Sequence, residues 1–253
     1  MQLKHFLLLP LAFVCELLDS SLGMGYGTTL TPILILLGYS PLDIVPAVLM
    51  SEFISGILAA TFHHNLGNAN FRKGSKDIKV ASVLGILSII GVTASVFITI
   101  ELPVKTIKLI IGIIIISMSV IILLTYKLKP KFSWFKISIL GVIASINKGL
   151  SGGGYGPTVM GGQMLSGVGV KNAVGITSFS EGVTCFVGFT LYYFLNPSVN
   201  LFLAPWLMAG AALSVPVSAN IVKILPEKVI KIIIAVVVGL LGILTILKTT
   251  KII

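Results

Sequence analysis

The sequence predicts an all-α polytopic membrane protein of two inverted-topology repeats, each a glycine-broken helical hairpin plus three transmembrane helices. Three observations predict it. Of its 253 residues, 56% are hydrophobic and only 10% charged, with a mean hydropathy of +1.08. A soluble domain carries roughly 25% charged residues. Uncharged runs recur at 80–100, 109–126 and 201–222, each near the roughly 17–25 residues with which a helix crosses hydrocarbon. They do not alternate, which excludes a barrel. Finally, the second half of the chain repeats the first.

The first segment runs from about Lys4 to Leu22 and stops at "GMGYG". Its basic start and apolar core could pass for a signal peptide. Glu16 and Asp19 interrupt the end, and no A-x-A site follows. The second segment, Thr28 to Leu37, is too short to span easily. Three longer ones follow: Leu42–Phe62, Ile78–Ile100 and Val104–Tyr126. The second half repeats this series from Phe135, Pro157, Lys171, Val199 and Glu227. Tyr39-Ser40-Pro41 and Asn196-Pro197-Ser198 read as turns.

The repeat appears when the sequence is slid by 129 residues. "GMGYGTTLTPILILLG" (23–38) then lies on "GGGYGPTVMGGQMLSG" (152–167), and Ser51-Glu52 lies on Ser180-Glu181. After a six-residue shortening, "LPVKTIKLIIG" lies on "LPEKVIKIIIA". The halves divide as 1–127, a basic cytoplasmic linker at 128–134, and 135–253. Each half crosses an odd number of times, so the second is inverted. Inverted repeats characterise secondary transporters, with sites at the repeat interface. Loops 63–79, 127–136 and 223–231 hold eleven basic residues, against six on the opposite side. By the positive-inside rule the first group is cytoplasmic and both termini lie outside.

Burying an ionisable group in a span is costly, so each one found there is a functional candidate. Five qualify: Glu16, Asp19, Glu52, Lys148 and Glu181. Lys148 and Asp19 each stand four residues before a glycine cluster, a cation in one half mirroring an anion in the other. Lys148 either pairs with Asp19 or supplies charge to an anionic substrate. Glu52 and Glu181 either carry protons or cap the N–H groups of the glycine loops. The glycines permit left-handed backbone and close ligand approach. A helix starts after each cluster, and its N-terminus exposes N–H groups that bind anions. Gly25, Tyr26, Gly27, Thr28 and Thr29, with Ser151, Gly153, Gly154, Tyr155, Gly156 and Thr158, are therefore candidate substrate contacts beside Lys148. His63, His64 and Arg72 read as a solvated flank.

Other chemistry is not indicated. No nucleic-acid module, phosphate-binding loop or metal motif is present, and no cofactor is expected. Cys15 and Cys185 lie in apolar stretches without metal spacing. "GLSG" (149–152) matches an intramembrane serine protease motif, but all three histidines precede it and none lies in the second half. The chain is read as a non-enzyme. A metal or proton-coupled cation transporter using the four acids and a non-transporting assembly subunit are the other readings.

With its two glycine motifs and a repeat that fills the chain, the sequence resembles the sulfite exporter TauE/SafE family. The resemblance implies a multi-pass inner-membrane transporter of sulfur-containing anions such as sulfite or small sulfonates, with the lipid bilayer and a small anion as its partners. It leaves the oligomeric state open, and there is no intramembrane arginine to grip a sulfonate. Single-cysteine accessibility mapping is expected to label both termini from outside and the 63–79 loop from the cytoplasm. A cytoplasmic terminus contradicts the inverted arrangement.

Overall fold

The computed structural model describes residues 6–23, 26–125, 133–196, 199–221 and 227–250. All regular structure among them is helical. The first half holds α1 (Leu8–Leu22), α2 (Tyr26–Leu36), α3 (Pro41–Asn65), α4 (Lys76–Glu101) and α5 (Val104–Thr125). The second holds α6 (Trp134–Ser151), α7 (Tyr155–Leu165), α8 (Val170–Leu195), α9 (Ala204–Ile221) and α10 (Glu227–Thr249). By length and composition, α3, α4, α9 and the Lys171–Leu195 part of α8 are long and apolar enough to cross a membrane. The short helices α2 and α7 have 11 residues each, about 16 Å of helix, half the hydrocarbon thickness.

The helix starts follow local chemistry. Ser75 caps α4 by accepting the N–H of Ile78, and Ser133 caps α6 by accepting that of Lys136. Pro41 occupies the first turn of α3 behind Ser40, where a missing N–H does no harm. One start differs from the sequence expectation. α9 begins at Ala204 rather than Val199, because Asn200 Oδ1 takes the N–H of Phe202 and folds 199–203 into a turn. Most of the 128–134 linker, and Pro197 and Ser198 of the expected turn, lie outside the described residues.

The breaks after α1 and α6 are built identically. Gly23 and Gly152 are left-handed, with φ of 67° and 69°, and their N–H groups return to the carbonyls of Asp19 and Lys148. A left-handed residue here favours glycine, which has no Cβ to clash.

The halves interlock rather than lie side by side. α1 packs on α9, and α6 packs on α4, so each half's first helix is clasped by the other half's fourth. α3 packs on α8 and α5 on α10, each against its own counterpart. The α3–α8 crossing is close because both helices offer glycine there: a Cβ on Gly56 would stand 2.9 Å from Ser178 O. Small residues let membrane helices approach in this way. Ile86, Ile90, Leu124, Phe135, Phe194 and Leu213 are exposed on the outside, as a lipid-facing surface requires.

Alanine substitutions test the crossing. Gly56→Ala is expected to lower stability by roughly 1–3 kcal/mol. At Gly182, where a Cβ meets nothing closer than 3.5 Å, alanine is expected to cost less than about 1 kcal/mol. Thermal unfolding in detergent measures both, and equal melting shifts would contradict the close contact.

Candidate functional site

The two glycine breaks meet in backbone contact. A Cβ on Gly27 would overlap the carbonyl of Gly152, and one on Gly153 would lie 2.5 Å from Thr28 N. Gly154 donates its N–H to Thr28 Oγ1 at 2.9 Å, which ties one half to the other. Any substrate lying directly between these strands requires them to part.

Beside the crossing lies the Lys148 ammonium. Lys148 is 0% exposed. It donates to Glu181 Oε1 at 2.7 Å and forms a second ion pair with Glu52 Oε2. Glu52 also receives the Gly27 N–H on Oε1 at 3.3 Å and the Cys185 thiol on Oε2 at 3.8 Å. One carboxylate thus joins a lysine to the N-terminal turn of a half-helix. Of the two roles open to the glutamates, capping a glycine-loop N–H is seen at Glu52.

Lys148 does not pair with Asp19. Asp19 is buried on α1, which packs along α9, and makes no ion pair among the described residues. The reason is the α3–α8 crossing. It brings Glu52 and Glu181 together beside the end of α6, within reach of a lysine side chain.

The remaining candidates sort by what they touch. Tyr26 and Tyr155 are buried at the starts of α2 and α7, their hydroxyls bonded to Ser51 Oγ at 2.8 Å and Ser88 Oγ at 3.0 Å. They fasten the half-helices to α3 and α4. The Ser151 hydroxyl takes the N–H of Gly153 at 3.1 Å and bonds back to Asn147 O at 2.8 Å, holding its own turn. Thr158 donates to Gly154 O at 2.8 Å. Gly156 is buried in the first turn of α7, and Thr29 is only half-buried. Gly25 lies outside the described residues.

One expectation is overturned. His63 is 0% exposed rather than solvated. α3 runs on to Asn65, which carries His63 inside the bundle. Its Nε2 donates to Ser20 O at 3.1 Å, and its Nδ1 accepts from Asn68 Nδ2 at 3.1 Å. The carbonyl can only accept, so this neutral tautomer is fixed by its partners. His64 is half-buried and Arg72 exposed. Sequence reading also passed over Tyr192, whose hydroxyl donates to Gly149 O at 2.8 Å. Ser51, the partner of Tyr26, belongs to the Ser-Glu pair that recurs at Ser180-Glu181.

The sulfite exporter TauE/SafE family profile matches residues 8–245. The chain belongs to this family. It is a multi-pass membrane protein of a transporter family. It is also similar to the "Probable membrane transporter protein YtnM" of Bacillus subtilis (strain 168). The two are 26% identical over 226 residues, covering 84% of this chain and 73% of that protein.

The ion pairs make a stability prediction. Removing one partner of a buried ion pair typically costs about 3–5 kcal/mol. Lys148→Met strands two carboxylates and is expected to reach that range. Glu52→Gln leaves Lys148 paired with Glu181 and is expected to cost less. Equal melting temperatures for Lys148→Met and the parent protein would show that the pairs contribute nothing.

Proposed function

We propose that this TauE/SafE member is a proton-linked secondary transporter of a small sulfur-containing anion, sulfite or a sulfonate. It works by alternating access between two inverted halves, divided near 128–134, in the inner membrane with both termini outside. The main packing pairs agree with two halves related in this way: α1–α9 exchanges with α6–α4, and α3–α9 with α8–α4, when each helix is replaced by its counterpart.

The observation that carries the reading is the position of the Glu52 carboxylate. It bridges the Lys148 ammonium and the Gly27 N–H, donors that equally suit a small oxyanion. Glu52 in this conformation occupies the anion's place. With all three groups ionised, Lys148, Glu52 and Glu181 carry a formal charge of −1. A monovalent anion that enters as Glu52 takes up one proton leaves that charge unchanged. Anion binding is thereby linked to proton uptake, since a monovalent anion entering alone takes the buried site to a formal charge of −2. Parting of the glycine strands opens the site. The N-terminal turns of α2 and α7, with Thr28 and Thr158, then face the anion's oxygens.

Cation transport has one observation in its favour: four buried acids, Glu16, Asp19, Glu52 and Glu181, outnumber the buried lysine at the site. Among the described residues no three His, Cys, Asp or Glu side chains are grouped to hold a metal ion. This favours a proton over a metal as the second ion.

Proteoliposomes loaded under an imposed pH gradient test the reading with labelled sulfite and small sulfonates. Lys148→Ala is expected to lower uptake at least about 30-fold, the loss of one buried charge-assisted partner. Glu52→Gln is expected to abolish gradient-driven accumulation. Full uptake by Lys148→Ala rejects the site.

A further inference from the structure

Glu16 stands apart from the Lys148 cluster. It is 1% exposed on α1. Its Oε1 accepts the hydroxyl of Ser20, one turn further along, and the Ser55 hydroxyl of α3 lies beside it. Its Oε2 meets no donor. Among the described residues no cation pairs with it, and the Lys148 ammonium is held by Glu52 and Glu181.

Every other ionisable group that faces it is acidic or neutral. Cys15 and Asp19 lie on its own helix, Glu52 on α3 and Glu181 on α8. α2 contributes only Tyr26. α9, packed along α1, has no ionisable side chain in its sequence. His63 stands beyond Ser20, bonded to that residue's carbonyl. An ionised carboxylate would sit here with one oxygen unsatisfied and negative neighbours, a costly arrangement. Two serine hydroxyls and one carboxylate are also too few ligands for a metal cation. A proton answers both problems.

The repeat adds an independent reason. At the offset of 129, Ser145 stands opposite Glu16 and Gly149 opposite Ser20. Ser145 simply bonds back to Val142 O in its own helix. Packing shared by both halves therefore does not call for a carboxyl at this place.

We infer that Glu16 is a proton-binding site of its own, separate from the Lys148 cluster, whose occupancy is read by the last turn of α1 through Ser20. That turn is pinned at the Ser20 carbonyl to His63, and His63 through Asn68 to Ala219 O of α9. A proton leaving Glu16 places a charge one turn from this pin. The use of the site in coupling rests on the transporter reading above; the proton site does not.

Infrared difference spectroscopy tests it on the purified full-length chain in lipid nanodiscs, with the pH stepped and no substrate added. A protonated-carboxyl carbonyl band is expected to lose one component in Glu16→Gln and to keep that component in Glu52→Gln. Ser20→Ala, which removes only the hydroxyl, is expected to displace the same component. It carries the test if Glu16→Gln does not fold. A band unaltered by either Glu16→Gln or Ser20→Ala overturns the inference. Failed anion uptake with the Glu16 component present rejects the anion reading and upholds the site. Uptake with no such component does the reverse.

Discussion

Lys148 is fully buried, and its ammonium has to find its counter-charges within the protein. Both come from elsewhere in the chain, Glu52 on α3 and Glu181 on α8. Neither carboxylate could reach it without the α3–α8 crossing, and the closeness of that crossing depends on glycine at position 56. The same ion pair draws in the broken hairpins, because Glu52 also holds the Gly27 N–H at the start of α2. The centre of the bundle is thus one connected polar unit in an otherwise apolar protein.

Around that unit the backbone is nearly symmetric. Left-handed glycines end α1 and α6 in the same geometry, and each hairpin is clasped by the other half's fourth helix. The charges are not symmetric. Lys148 pairs with Glu52 and Glu181, while its counterpart Asp19 makes no ion pair among the described residues. Glu16 has a serine for a counterpart. The main helix pairs of the two halves correspond. The structural tyrosines and serines then hold the half-helices in place: Tyr26 on Ser51, Tyr155 on Ser88, Ser151 on its own loop.

The sequence by itself determined the helices, the places where they break and the five ionisable groups inside apolar segments. These are local properties: an uncharged run, a glycine that tolerates left-handed backbone, a charge inside an apolar stretch. The expected helix start at Lys4 lies outside the described residues. Of the other nine, eight fall within two residues, and the ninth misses the turn before α9, where Asn200 Oδ1 takes the N–H of Phe202. What only the tertiary structure decided was partnership. Lys148 and Asp19 match in register, yet the lysine pairs with the glutamates, because pairing follows helix crossings rather than repeat position. His63 looked solvated in a list of polar residues and is buried because α3 runs past it. Two glycine loops that each suggest an open cradle instead close on one another. Glycine in a sequence shows that backbone can come close, and only the packed fold shows what it comes close to.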